Sequence, residues 1–487
     1  MKKNCFSLIL FVNRIHIMQI FITLILYTFL LGVQSQRASP FNYYCPVNNS
    51  TIEFTLTSTD HSAWQLTTNC SIVPCDANLK NNDSCRSLSG PCFDYRTIGN
   101  ISYCAPAISC STLEPCDNVT RFCRSNSSVC ITNSCCSPQA VCLPLSATNF
   151  CMKKWLNTNR MNHPRVGHTA TVLLTGEVLV AGGENLIEGD LKSAEIYDSL
   201  TELWTMTDNM AYPRQQYTAT LLNNGKILVV GGYNNATWTN SSELYDPITR
   251  RWIVTGSLAN ERFQHGASLL LNGKVLVSGG SNSVSDLNSA ELYDPSTGVW
   301  TSTNNMRDTR GLHTSSVLFD GQVLVTGGRY QGLNSAELYD PSTGTWTVTT
   351  SMHIQRRIHT ASVLSNGKVL IAGGDNNSPS PTYLTSVELY DPMTRLWTNI
   401  NSLNHARAKH TATILKNGNV LITGGYDGIN FTATAEIYDV STGIWTNIGN
   451  MYDGRHWHVS SKLLNDKILI TGGGRENGGV LDGAEIF

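Results

Sequence analysis

The chain has 487 residues, of which 41% are hydrophobic and 14% charged, with 34 Lys and Arg set against 36 Asp and Glu. That length exceeds one ordinary domain, and a near-neutral balance with no basic run or acidic tail excludes the electrostatic footprint of a nucleic-acid binder. All 15 cysteines lie at or before Cys151, so the two parts of the chain must draw their stability from different sources.

In chain order, residues 1–35 come first. Lys2, Lys3 and Arg14 precede a mostly apolar run over residues 15–33, and Val33-Gln34-Ser35 supplies small residues at the first and third positions of a cleavage site. This pattern predicts a secretory signal peptide cut after Ser35, with an uncleaved single-pass anchor as the alternative. Either way the basic flank stays cytoplasmic and the rest of the chain is exported.

Residues 36–151 form a Cys-rich module. It carries Cys45, Cys70, Cys75, Cys85, Cys92, Cys104, Cys110, Cys116, Cys123, Cys130, Cys135, Cys136, Cys142 and Cys151. An even number at this density in an exported chain predicts structural disulfides, which replace a core that so short and polar a stretch cannot bury. Zinc is the weaker reading, because paired CxxC knuckles are absent and His61 is the only histidine within residues 36–151. Sequons at Asn48, Asn49, Asn69, Asn82, Asn100, Asn118 and Asn126 predict a glycosylated module. The order of the last six cysteines resembles knottin-type cystine knots. That resemblance implies the pairs Cys123 to Cys136, Cys130 to Cys142 and Cys135 to Cys151.

Residues 152–487 repeat one phrase. Its glycine pairs are Gly182-Gly183, Gly231-Gly232, Gly279-Gly280, Gly327-Gly328, Gly373-Gly374, Gly424-Gly425 and Gly472-Gly473, spaced by 46 to 51 residues, a period that suits four-stranded propeller blades. Before each pair, two short Thr/Val/Leu-rich runs flank a turn such as Asn224-Gly225 or Asn272-Gly273, which predicts a tight hairpin. After each pair comes a variable loop, then a third strand such as 194–197. Exits such as Asp294-Pro295-Ser296-Thr297-Gly298 predict a second hairpin into a Trp strand. The seventh repeat stops at Phe487 one strand short, and an orphan around Trp155 matches the missing strand. An all-β ring of seven blades closed by an N-terminal strand follows, without exposed sheet edges.

The glycine pair followed by Glu-Leu-Tyr-Asp and then Trp resembles the kelch repeat over about 335 residues (153–487). Tyr217 in place of the repeated His, and Phe487 in place of the last Tyr, are the departures. The resemblance implies binding, mostly of proteins, with sugar-oxidising enzymes as a minority.

Residues repeated in every blade answer a need every blade shares. Arg165, Arg214, Arg262, Arg310, Arg356, Arg407 and Arg455 are expected to pair with Glu195, Glu243, Glu291, Glu337, Glu388, Glu436 and Glu485, since buried charge requires a partner. His168, His265, His313, His359, His410 and His458 are read as structural hydrogen-bonding groups rather than a metal ring. No metal and no cofactor is expected.

Function is sought where blades differ, on the loops after the glycine pairs. Strand alternation puts these loops on the face that also carries the blade-to-blade links. Candidate binding residues there are Tyr233, Trp238, Arg329, Tyr330, Asp375, Tyr383, Tyr426, Asp427, Phe431, Arg475 and Glu476, because aromatic and Arg side chains anchor interfaces and aromatics stack on sugars. Sequons at Asn235, Asn240, Asn376 and Asn430 fall in the same loops. The expected function is noncovalent extracellular recognition or adhesion, with a protein or glycan as partner and a membrane involved only if the leader is an anchor. The alternative is a carbohydrate-active or copper-radical-oxidase-like enzyme. It is disfavoured because the propeller has no Cys to modify a Tyr and no further C-terminal domain follows.

Overall fold

A computed structural model describes residues 155–487 apart from 235–236, 330–332 and 377–380, together with the backbone of short strands between Asn42 and Pro144. The chain divides into Met1–Met152 and Lys153–Phe487. In the first unit, antiparallel pairs join Asn42–Val47 to Ser50–Thr55 and Cys92–Arg96 to Ser102–Pro106. Val141–Pro144 pairs with Ser128–Ile131 in a register that sets Cys130 opposite Cys142. The leader, the sequon asparagines of this unit and its cysteine side chains lie outside the described residues.

The second unit is seven four-stranded antiparallel sheets. Blade one comprises Thr169–Val172, Val178–Ala181, Ala194–Asp198 and Leu203–Met206, running from the axis outward. Its second strand is wholly buried, and the period-two alternation of a strand sends successive side chains to opposite neighbours. Val178, Val180 and Tyr197 pack against Leu463, Leu469 and Ile486 of blade seven, while Leu179, Ala181 and Ile196 pack against Ile227, Val229 and Tyr245 of blade two. The hydrophobic core is therefore distributed between blades, which is why these strands read as continuous apolar runs.

Ring closure follows the expectation. Leu156–Asn157 is the outer strand of blade seven, with Leu156 opposite Ile486 and Asn157 opposite Glu485. Trp155 is 2% exposed, and its ring lies 5.0 Å from that of Phe487, matching the 4.9 to 5.1 Å of the six Tyr–Trp pairs.

Phe487 falls at a junction that offers no hydroxyl partner, as does Tyr438 beside Ile400. In five blade junctions the Tyr hydroxyl meets a Thr three residues after the preceding Trp, as at Thr158–Tyr197 (2.9 Å) and Thr207–Tyr245 (2.9 Å). Blades five and six have Ile400 and Ile448 there. Ile448 offers no hydroxyl, and it packs in the same cluster as Phe487.

The buried charges are paired as expected. Arg165 Nη2 donates to Glu195 Oε1 at 2.7 Å, and its Nη1 donates to the carbonyls of Gly182 and Ser193. Glu195 also accepts the backbone N–H groups of Asn162 and His163 in the incoming link. The other six blades repeat the Arg–Glu pair with both side chains almost fully buried. One ion pair thus ties the link to the third strand of its blade, and this use accounts for both residues without catalysis.

Candidate functional site on the loop-bearing face

The axial end of this face is built from the residue that immediately precedes each repeated His or Tyr217. These are Gly167, Gln216, Gln264, Leu312, Ile358, Lys409 and Trp457, all with φ between +50° and +66°. Each N–H donates to the carbonyl of its counterpart in the preceding blade, from Gln216 to Gly167 (3.0 Å) around to Gly167 on Trp457 (3.3 Å). Seven backbone hydrogen bonds close a circle about the axis. A left-handed backbone is unusual for non-glycine residues and most of all for β-branched Ile358, and the circle of bonds holds it there.

Beneath this circle lies the His ring. The Nε2 of His168 meets Thr471 Oγ1 at 2.9 Å, that of His265 meets Thr218 at 2.8 Å and that of His410 meets Thr360 at 3.0 Å. Tyr217 substitutes by reaching Thr169 Oγ1 (2.8 Å) and the Ala181 carbonyl (2.6 Å). Burial, reinforced by the Arg cation of the same blade, lowers His168, His313 and His410 to about 3 and holds His265, His359 and His458 well below the usual histidine range. The buried ring is therefore uncharged near neutral pH, and its Nε2 atoms are engaged by Thr or Ser hydroxyls of the neighbouring strands.

Above it is a cup of about 250 Å³ whose walls include Gln216, Gln264, Leu312, Ile358, Lys409 and Trp457. Its two sides differ, with amides on one and aliphatic, aromatic and cationic groups on the other. Burial lowers the Lys409 ammonium below the usual lysine range. Its Nζ lies 5.8 Å from the centre of the Tyr426 ring and 6.0 Å from that of Trp457, within cation–π range.

The loops surround the cup because the residue before each ring position bridges to the residue after a glycine pair, as in Val166 with Glu184, Gln215 with Tyr233 and Ala408 with Tyr426. Glycine is required there. A Cβ on Gly183 would stand 2.8 Å from the Val166 carbonyl oxygen, and Gly183 itself has φ +91°.

The sequence candidates divide into two groups. Tyr383, Tyr426 and Phe431 form a continuous aromatic sector over blades five to seven, with ring centres 5.1 and 4.9 Å apart, and Phe431 stacks on His456 at 4.3 Å. Arg475 and Glu476 are exposed beside a short helical turn, Glu476–Gly478.

The others are occupied locally. Tyr233 and Trp238 are cross-strand partners that pack edge to face at 5.6 Å and also against Phe263, and Trp238 Nε1 is buried. Arg329 is held by Asp286 (2.8 Å) and Ser281 (2.6 Å), while Asp375, 2% exposed, is paired with Arg357 at 2.8 Å. Asp427 caps its own turn by accepting from Ile429 and Asn430. Tyr330 and Asn235 lie outside the described residues.

Of the remaining sequons, Asn240 and Asn430 are exposed, and Asn376 Oδ1 accepts from Thr382. Asn240 Nδ2 donates to the Leu258 carbonyl as Asn288 and Asn334 do to Met306 and Met352. The Asn-Ser of that sequon is therefore also a repeated structural contact.

The cup residues escaped the sequence reading because they sit inside the most regular phrase of the repeat. The signal was present in the two variable positions between the repeated Arg and His, the second of which reads Gly, Gln, Gln, Leu, Ile, Lys and Trp from blade one to blade seven.

The KLHDC2/KLHL20/DRC7 Kelch-repeats domain matches residues 132–328, and the Kelch motif matches residues 310–353, 356–404 and 407–452. The chain belongs to the kelch-repeat β-propeller family. Kelch propellers are generally non-catalytic scaffolds that bind proteins. No curated protein sequence matches this kelch chain. Among solved structures, a fungal alcohol oxidase of the AA5 family in complex with copper is 18% identical with a TM-score of 0.57, covering 69% of this chain and 76% of its own. At that identity the likeness is one of fold alone.

Proposed function

We infer that the protein is an extracellular, non-catalytic recognition module whose kelch propeller holds a protein or a glycan noncovalently on its loop-bearing face. One observation carries this reading. The Arg and Glu repeated in each blade are paired with each other, whereas residues that differ between blades, Lys409 and Trp457 among them, line the axial cup, with Tyr426 beside Lys409 and Phe431 packed on Tyr426. Rigid blades hold this surface in one geometry, which spares the entropy of ordering a flexible site on binding. Export is supported by the leader pattern and the cysteine density of residues 36–151.

An oxidase reading draws on the fold of the copper enzyme. It is weakened here because the propeller sequence has no Cys to join to a Tyr. Among the described residues, no three His, Cys, Asp or Glu side chains are grouped as metal ligands.

The test is a glycan array and a cell-surface protein panel probed with the secreted full chain, each hit being repeated with Trp457→Ala and Phe431→Ala. Hits should weaken at least about tenfold with one or both, as hot-spot aromatics do. Hits that neither substitution affects would remove the site from this face.

A further inference from the structure

The face opposite the loops is built from hairpin turns, one between the first and second strands of a blade and one between the third and fourth. At the first turn the residue after a buried Leu reaches over the turn of the next blade. Leu464 lies over Gly176, Leu174 over Gly225, Leu271 over Gly321 and Phe319 over Gly367. At the second turn Leu200, Ile248 and Met393 stand at the tips. These side chains are between 69% and 94% exposed, and every blade except the sixth supplies at least one. A single exposed aliphatic side chain needs no explanation, but a set gathered on one face marks a contact surface.

Two further observations bear on what this face meets. Cations on it are matched by its own carboxylates, with Lys226 on Asp246 (3.1 Å), Lys274 on Asp294 (3.1 Å), Lys368 on Asp391 (3.2 Å), Arg250 on Glu177 (3.1 Å) and Lys416 on Asp466 (2.8 Å). Little charge is left to draw an anionic partner. All the propeller sequons, Asn235, Asn240, Asn376 and Asn430, fall in the loops of the other face, while Asn-rich turns here such as Asn223-Asn224 and Asn417-Gly418-Asn419 form none. In an exported chain a bulky glycan would hold this surface off whatever it rests on.

The arrangement favours lipid over protein. The apolar tips are interrupted by Asn223, Ser365 and Lys416 at the first turn and by Ser296, Ser342 and Ser441 at the second. A protein partner would need a separate pocket for each protruding tip, whereas fluid acyl chains close around any of them. The tips are Leu, Ile, Met and Phe rather than the Trp, Tyr and Arg that anchor protein interfaces.

We propose that the turn-bearing face rests on a bilayer of zwitterionic lipids, with these side chains entering the boundary between headgroups and acyl chains. The loop-bearing face then points away from the membrane, free for the recognition role above.

The experiment measures co-sedimentation of the full secreted chain with phosphatidylcholine vesicles. Wild type should partition saturably, and Leu174→Ser, Phe319→Ser and Leu464→Ser should each weaken partitioning about tenfold, the scale of one buried apolar side chain, with unchanged melting temperature. Ile187→Ser, which removes an equally exposed aliphatic (93%) from the loop-bearing face, should change nothing. Adding about one-fifth phosphatidylserine should alter affinity less than about twofold, because the charges of the face are paired. Absence of vesicle binding overturns the proposal, as does binding that the three Ser variants leave intact, which would assign it to another part of the chain. A preference of more than about tenfold for the anionic vesicles overturns it too, since that would make charge the driving force. If the Ser variants lose a cell-surface protein while vesicles stay unbound, the face belongs to a protein partner and the proposal falls.

Discussion

Trp155→Ala tests how the ring is closed. Trp155 is 2% exposed and packs among Leu421, Ala435, Met451, Ile468 and Ile470, so it joins blades six and seven as well as stacking on Phe487. Its Nε1 makes no hydrogen bond, so the loss is one of packing alone. Truncating a buried aromatic costs about 3–5 kcal/mol, including about 0.5–1.5 kcal/mol for the ring pair.

The internal control is Trp204→Ala at the equivalent place in blade one. That side chain is only half-buried and donates to the Asn159 carbonyl at 2.7 Å, and its loss should cost about 1–2 kcal/mol. Equilibrium urea unfolding of both variants, with limited proteolysis around residue 155, measures the difference. A Trp155→Ala cost no larger than that of Trp204→Ala would refute the closure by this strand.

Three further outcomes follow from the same geometry. The unfolded chain takes up protons on its histidines as pH falls through 6.5, whereas folded His168, His313 and His410 resist until about 3. Stability is therefore full above pH 6.5 and lost below it, by about 1.4 kcal/mol per residue and about 4 kcal/mol together at pH 5.5. Urea midpoints between pH 7.5 and 5.5 check this, and a flat profile would contradict it. The pair Ile448→Thr and Phe487→Tyr should create the inter-blade bond seen at five other junctions, with a favourable coupling of about 1 kcal/mol in a double-mutant cycle, and zero coupling would show that this junction cannot form it. Glu202 has φ +58° where Gly298 and Gly344 occupy the matching turns, so Glu202→Gly should raise stability by about 0.5–1 kcal/mol in thermal unfolding.

Most of the fold was legible because propeller blades repeat their instructions. Seven glycine pairs, the Asn-Gly turns and the Tyr–Trp pairs each state one local need, and the orphan Trp155 stated how the ring closes. The Arg and Glu sets were legible for the same reason, since a charge present in every blade needs a partner in every blade. The site was harder to read. Trp238 and Asp375 look like contact residues by type, yet one is packed on Tyr233 and the other bound to Arg357, and only spatial neighbours reveal that use. Lys409 and Trp457 are 48 residues apart in sequence and meet only at the axis, where one backbone circle brings the blades together.

Pairing Leu156–Asn157 with Ala484–Ile486 also sets an order of events. The outermost strand of the last blade is made first and must wait for almost the entire propeller to be synthesised before its partner exists. Closing so long a loop is entropically costly, so the final sheet should zip last and open first. The toroid acquires its seam late, and proteolysis or thermal breathing should begin at that seam.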